Sequence, residues 1–312
     1  IKIGEINSYK AQPVFLDAYK QGMALALEEA NAAGGVGGKK FELVTRDDNA
    51  NPGEAVRLAE ELISRERVDL LAGTFLSHVG LAMTDYAKQK KVFFLASEAL
   101  TDKVLTDKIP LITLGYGLAA SQDGGVFKWN FPLMGSYWTA ADILIQHIGK
   151  KEGGLDKLKG KKIALVYHDS PFGKEPIPLL QERAKMHGFE LQMLPVTAPG
   201  VEQKATWLQV RQSRPDYVLL WGWGVMNSTA LKEAQATGYP RDKMYGVWWA
   251  GAEPDVRDVG EGAKGYNALA LNTSGQQPKV IQDILKHVHD KGQGTGPKDE
   301  VGSVLYLSLI HI

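Results

Sequence analysis

The residues most capable of acid–base or metal chemistry in this chain do not form catalytic or metal-binding patterns. His168 and Asp169 adjoin at the end of a predicted strand, but no serine or cysteine elbow accompanies them. His287 and His289 are two positions apart on a predicted helix, so they face different directions and make a poor metal clamp. The chain has no cysteine, which excludes disulfides, thiolate zinc sites and cysteine nucleophiles. The sequence therefore predicts a protein that is not an enzyme and has no metal site.

The glycine run Gly34–Gly38 does not indicate a cofactor. A dinucleotide-binding fingerprint stands before the first helix of a βαβ unit, whereas this run follows that helix. We interpret it as a helix stop and turn, and we expect no cofactor.

Aromatic side chains are the most prominent candidates for ligand contact. Trp221, Trp223, Trp248 and Trp249 lie at the ends of two predicted neighbouring strands, where a ring-shaped or quaternary ligand could stack on them. Large rings also fill protein interiors, so packing within the fold is the alternative interpretation.

Composition excludes several classes of protein. Lys plus Arg equals Asp plus Glu at 36 each, so no basic field attracts nucleic acid or an anionic membrane surface. No window reaches the roughly 18 uninterrupted apolar residues of a membrane span. The chain starts at Ile1 without a charged-then-apolar leader, which fits a mature exported protein or a trimmed chain.

Strands and helices alternate along almost the whole sequence. The opening strand Ile1–Ile6, a long amphipathic helix and the strand Lys40–Arg46 form a βαβ unit. Asn51 is predicted to cap a second helix that ends near Arg65. The alternation loosens after Asp102 and then begins again, with strands predicted at Lys162–His168, Tyr217–Trp221 and Met244–Trp248. We therefore predict an α/β protein with two Rossmann-like lobes. The first lobe is predicted to comprise residues 1–129 and 250–312, and the second to comprise residues 130–249.

Several stretches together carry a resemblance to a known family. They are "ALEEANAAGGVGGKKFELVTRDDNANPGEAVRLAEELI", "DLLAGTFLS", "GKKIALVYHDSPFGKE" and "RPDYVLLWGWG" followed by "ALKEAQATGYPRDKMYG". In this order they resemble the Leu/Ile/Val-binding type of periplasmic binding protein, the extracytoplasmic receptor of ABC importers. The resemblance implies a type I periplasmic binding protein fold, with the ligand held between two lobes that close about a hinge.

The resemblance also implies which residues contact the ligand. The ligand carboxylate would be held by two first-lobe loops, and Phe15 and Phe172 would cover the ligand body from the two lobes. Ser77 and Ser97 in these loops are equally typical of helix caps. The loop after the first strand adds Tyr9. The candidates in the first lobe are Tyr9, Phe15, Phe75, Leu76, Ser77, His78, Ser97, Glu98 and Leu100, and those in the second are Phe172 and the four tryptophans.

Two features depart from the family pattern. Amino-acid binders of the family usually carry an acid after the strand that ends here at Trp248-Trp249, and neither Glu98 nor Glu253 stands at the matching position. The ligand is therefore expected to be a carboxylate with an aromatic or bulky apolar body, with an aliphatic amino acid left open. The ending "LSLIHI" replaces the family's continuation and looks like a truncation or a foreign tail.

The function predicted from the sequence is a periplasmic solute-binding receptor that acts by hinge closure. Its expected partners are a small-molecule ligand and an ABC permease, with no nucleic acid, and the protein is expected to be a monomer. The alternatives are a ligand-sensing domain of a receptor or regulator with the same fold and, below it, a small-molecule enzyme.

Overall fold

The computed structural model describes residues 1–11, 13–74, 76–95, 111–113, 123–128, 130–132, 135–271, 275–294, 298 and 301. The described residues group into two compact units. Unit 1 contains those of Ile1–Ser136 and Gln276–Val301, and unit 2 contains those of Tyr137–Gly275.

Unit 1 is built on a parallel sheet in the order β2-β1-β3-β4. A second, two-stranded parallel sheet pairs β5 with β6. The strands are β1 (Lys2–Asn7), β2 (Glu42–Asp47), β3 (Leu70–Gly73), β4 (Phe93–Leu95), β5 (Leu111–Thr113) and β6 (Asn130–Pro132). The helices that follow the first three strands are α1 (Pro13–Ala32), α2 (Pro52–Ser64) and α3 (Ser77–Lys90).

Local sequence explains the start and the packing of α2. The Asn51 side chain accepts a hydrogen bond from the Glu54 N–H at 3.0 Å, and proline occupies the first turn. This confirms the predicted cap. Leu58 and Leu62 are buried, and Leu62 packs close to Gly4 of β1.

Unit 2 repeats this architecture around a five-stranded parallel sheet in the order β11-β10-β9-β7-β8. The strands are β7 (Lys162–His168), β8 (Glu190–Val196), β9 (Tyr217–Trp221), β10 (Met244–Gly246) and β11 (Asn267–Ala268). The helices are α4 (Tyr137–Glu152), α5 (Pro171–Lys174), α6 (Ile177–His187), α7 (Lys204–Ser213), α8 (Val225–Ala236) and α9 (Glu253–Arg257). All five residues of β9 are buried, as expected for a parallel strand covered on both faces.

The chain then returns to unit 1 through α10 (Lys279–Ile284), which continues as a π-helical turn at Leu285–His289. This segment packs on α1, where the Lys291 ammonium lies 2.5 Å from a Glu28 carboxylate oxygen.

The boundaries of the units differ from those expected from the sequence. Residues 250–271 were expected in the first lobe, yet in the structure they pack on unit 2. The physical reason is backbone pairing: Tyr245 and Gly246 of β10 pair with Asn267 and Ala268, so β11 closes the edge of this sheet.

Among the described residues no helix combines the length and the apolar character needed to cross a bilayer.

Candidate functional site

The carboxyl ends of β7, β9 and β10 form the candidate site in unit 2. These strands are neighbours in a parallel sheet, so their carboxyl ends meet at one edge. In open α/β sheets ligands bind in the crevice outside this edge. The loops that leave it begin at His168, at Trp221 and at Gly246. The prediction that the tryptophan pairs follow two adjacent strands is confirmed.

Tyr137, the first residue of α4, is the centre of a ring cluster at this edge. It stacks on Trp248 with ring centroids 5.4 Å apart, and it meets Phe172 and Trp221 edge to face at 5.1 and 5.8 Å. The Trp249 indole N–H donates to the Tyr137 hydroxyl at 2.8 Å. One tyrosine therefore joins residues at or after the carboxyl ends of three different strands.

The turn that carries Trp248 and Trp249 is fixed by polar contacts to its backbone. The turn is a 3₁₀ helix, Trp248–Ala250, and the Asn227 amide donates to the Trp249 carbonyl at 2.7 Å. The Tyr266 hydroxyl donates to the Ala250 carbonyl at 2.6 Å. A Cβ at Gly246 would lie 2.1 Å from that hydroxyl, so only glycine leaves room for this contact.

Asp255 supports the same turn from α9. Its carboxylate accepts from the Ala252 N–H at 3.2 Å. Burial raises the pKa of Asp255 to about 7, while the hydrogen bonds from Asn227 and Ala252 oppose the rise and the nearby Glu253 adds to it. The protonated form of this carboxyl is therefore substantially populated near neutral pH.

Exposure separates the rings into two groups. Trp221, Trp248 and Trp249 are only 0, 5 and 6% exposed, so they are part of the interior of unit 2. Phe172 and Trp223 are half-buried, so part of each side chain is exposed to solvent. The structure thus brings all five predicted rings of the second lobe to one edge, and their assignment as ligand contacts remains a prediction.

The helix α5, which carries Phe172, begins very close to the carboxyl end of β7. The Ser170 hydroxyl caps α5 by accepting from the Gly173 N–H at 3.4 Å. A Cβ at Gly173 would lie 1.8 Å from the His168 carbonyl oxygen, so a larger residue would push the helix away from the strand. Glycine here therefore sets the position of Phe172.

His168 and Asp169 have different partners. The His168 Nδ1 lies 2.9 Å from the Ser170 hydroxyl, and its ring meets Trp223 at 6.0 Å. Asp169 forms an ion pair with Lys174 at 2.6 Å. Among the described residues no group of three His, Asp or Glu side chains is placed to hold a metal ion.

Only part of the predicted first-lobe site falls within the described residues. Tyr9 follows β1, is half-buried, and donates from its hydroxyl to Glu5 at 2.9 Å. Leu76 is 7% exposed and precedes α3. Ser77 and His78 are the first residues of α3 and Phe15 belongs to α1, but the side chains of all three lie outside the described part. Phe75, Ser97, Glu98 and Leu100 lie outside it altogether.

Sequence reasoning missed Tyr137, Asn227 and Tyr266. The adjoining aromatics Tyr137-Trp138 at the start of a predicted helix were a signal for the first of these. The contacts of Asn227 and Tyr266 go to backbone carbonyls, which the sequence does not reveal.

Comparison with known proteins gives a consistent family. Residues 10–312 match the periplasmic binding protein family. The Leu/Ile/Val-binding protein homolog 7 of Brucella suis biovar 1 is 27% identical over 250 residues, which are 79% of this chain and 58% of the relative. The chain therefore spans less than two thirds of that relative's length.

Solved structures show the same fold. One described as an ABC transporter permease from the Pseudomonas fluorescens group is 31% identical, with a TM-score of 0.73, covering 99% of this chain and 72% of its own. A solute-binding protein of an ABC transporter from Rhodopseudomonas palustris BisB5, in complex with 3,4-dihydroxybenzoic acid, is 17% identical with a TM-score of 0.71, covering 100% of this chain and 77% of its own. These likenesses confirm the predicted α/β, type I periplasmic binding protein fold, and the chain belongs to the periplasmic binding protein family.

Proposed function

We propose that this chain is the solute-binding receptor of an ABC importer and that it captures a small carboxylate whose body is aromatic or bulky and apolar. The observation that carries this proposal is the ring-lined edge of unit 2, where the half-buried side chains of Phe172 and Trp223 lie at the same edge as a buried aromatic cluster. The matched family and the curated relative are binding proteins, which favours binding without turnover.

The packing of this edge suits an apolar ligand. Phe172 is held edge to face on Tyr137 at 5.1 Å, and Trp223 on His168 at 6.0 Å, so neither ring is free to collapse away from a ligand. Rigid rings that are already in place lose little conformational freedom on binding. They also favour flat or bulky apolar groups, because burying such groups removes apolar surface from water.

The carboxylate end of the ligand would be bound in unit 1. Phe75 and Leu76 directly precede α3 in the sequence, and Ser77 and His78 are its first residues. Free backbone N–H groups at the amino end of a helix favour an anion. Ser97, Glu98 and Leu100 follow β4, the neighbour of β3, and are the second part of this proposed anion site. Tyr9 and Phe15 are proposed to cover the ligand from the same unit.

In the proposed mechanism each lobe supplies part of the ligand contacts, so the closed state is favoured only when ligand bridges both. The closed form then presents itself to a membrane permease. We propose that the receptor works in the periplasm as a monomer and binds no nucleic acid. The two candidate ligand classes are aromatic acids and the aliphatic amino acids named in the relative's description.

A thermal-shift screen against two panels tests this function. One panel contains L-amino acids, and the other contains aromatic and aliphatic carboxylates. A selective rise in Tm with an aromatic acid is the expected result, because a ligand that binds only the folded state stabilises it. A selective rise with Leu, Ile or Val would overturn the aromatic specificity, and a flat response across both panels would overturn carboxylate capture.

A further inference from the structure

Glu5 is a fully buried carboxyl in β1, the strand between β2 and β3. Its Oε1 accepts hydrogen bonds from the Asn7 amide at 3.0 Å and from the Tyr9 hydroxyl at 2.9 Å. Its Oε2 is also buried, and no residue in the described part of the chain hydrogen-bonds to it. One oxygen of this carboxyl therefore accepts two hydrogen bonds, whereas the other is buried without one from the described residues.

The charges around Glu5 do not favour its ionised form. Asp48, after β2, acts on Glu5 as a like charge, and Tyr19 of α1 interacts with Glu5 as a neutral ring. Lys20 of α1 places its ammonium 5.7 Å from the centre of the Tyr9 ring, but within the described ranges no cation forms an ion pair with Glu5. A buried carboxylate without a cationic partner is costly, so the neutral acid is favoured.

The shift in the pKa of Glu5 agrees with this geometry. Burial raises the pKa of Glu5 from 4.5 to about 7, with a smaller rise from Asp48, while the polar groups of Asn7, Tyr9 and Thr45 oppose it. The stability that the proton supplies is fully present below about pH 4.5 and is lost as the pH rises to about 7.

Tyr9 lies in a loop whose flanking residues are anchored elsewhere. The Ser8 hydroxyl donates to Asp48 at 2.5 Å, and the Lys10 N–H donates to Asp47 at 3.1 Å. Between them, the Tyr9 side chain is held by the hydrogen bond from its hydroxyl to Glu5. A change at Glu5 therefore acts first on the middle of the loop, without removing the partner of either flanking bond.

We propose that protonated Glu5 is a positioning residue that keeps Tyr9 and residues 8–11 closed over the carboxyl end of β1, and that loss of the proton opens this loop to water. An ionised Glu5 requires hydration at Oε2, and the half-buried Tyr9 is the group that must move to admit it. This proton-controlled loop does not depend on the proposed function. If Tyr9 contacts the solute as proposed above, solute binding becomes linked to protonation of Glu5.

Hydrogen exchange measured by mass spectrometry on residues 8–11 tests the proposal without a ligand. After correction for intrinsic exchange, opening of this loop in the wild type is expected to rise several-fold from pH 5 to pH 8. The largest rise expected between these pH values is roughly 70-fold, which is the value that proton linkage gives if opening exposes Glu5 fully to water. Glu5→Gln keeps the oxygen that accepts from Asn7 and Tyr9 but cannot ionise, so its opening should not change with pH.

Ser8→Ala is the matched control, because it removes a flanking bond of the same loop without touching Glu5. It should raise opening equally at both pH values and leave the wild-type ratio intact. A Glu5→Gln protein that keeps the wild-type pH ratio would overturn the proposal.

A measurement on the wild type alone guards against a variant that fails to fold. Infrared spectroscopy of protein labelled with ¹³C only at glutamate should show a protonated carboxyl at pH 6 that disappears by pH 9, without interference from Asp255. Absence of that band at pH 6 would overturn the proposal.

Discussion

Replacing single rings at the edge of unit 2 separates ligand contact from core packing. Phe172 and Trp223 are half-buried, whereas Trp221 is 0% exposed and packs against Tyr137 at 5.8 Å. Removing a half-buried ring that covers ligand should cost about 1–3 kcal/mol of binding free energy, which is roughly 5- to 150-fold in Kd. Removing a fully buried tryptophan leaves a cavity and should cost about 3–5 kcal/mol of unfolding free energy.

The assay is a calorimetric titration with the carboxylate that gives the largest thermal shift, together with urea unfolding of each variant. Trp223→Ala and Phe172→Ala are expected to bind more weakly while losing less stability than Trp221→Ala, the matched control. Wild-type affinity in both Trp223→Ala and Phe172→Ala would refute the reasoning. A loss of stability in Trp223→Ala as large as that in Trp221→Ala would show that this ring belongs to the core.

Three further outcomes follow from contacts in unit 2. Tyr137→Phe removes the 2.8 Å hydrogen bond from Trp249 but keeps the ring, so urea unfolding should show a loss of about 1 kcal/mol, and unchanged stability would contradict the assigned role. Gly173→Ala places a Cβ 1.8 Å from the His168 carbonyl oxygen, so Tm should fall and ligand should bind more weakly. A variant with the wild-type Tm and the wild-type affinity would contradict the role given to Gly173. Burial raises the pKa of Asp255 to about 7, so the proton on this carboxyl supplies stability that is present below about pH 3.8 and lost as the pH rises to about 7. Asp255→Asn should reduce this loss of stability when unfolding midpoints are measured across a pH series. An unchanged pH dependence in the variant would contradict this role of Asp255.

Local signals were sufficient for most elements of the fold. The strands Lys162–His168 and Tyr217–Trp221 were predicted with the bounds that the structure gives them. Continuous apolar runs between glycine and proline signals are typical of buried parallel strands, and both strands lie in the middle of the sheet. The cap at Asn51 was equally accessible, because it depends on residues only three apart.

Tertiary contacts override local sequence where the prediction was wrong. The strand expected over Met244–Trp248 ends at Gly246, and Trp248–Ala250 form a 3₁₀ turn. The apolar run from Val247 onward favours a strand, but Tyr137 and Tyr266 fix the turn from positions far away in the chain. Such contacts have no signature in the residues of the turn itself.

The candidate site was predictable in kind rather than in detail. Four tryptophans near strand ends indicated an aromatic edge, and the structure places them there. Which of the rings are buried depends on the packing around Tyr137, whose contact with Trp249 spans 112 positions in the chain. That three of the five rings, Trp221, Trp248 and Trp249, are buried becomes apparent only once the fold is known.

A calorimetric titration with a matched pair of compounds tests the central claim most directly. The pair consists of the carboxylate that gives the largest thermal shift and its carboxamide, which has the same body but no negative charge. Capture of a carboxylate predicts saturable binding at one site per chain, recovery of the compound unchanged, and at least tenfold weaker binding of the carboxamide. Equal binding of the two compounds would contradict carboxylate recognition, and conversion of the compound during the titration would contradict a receptor that binds without turnover.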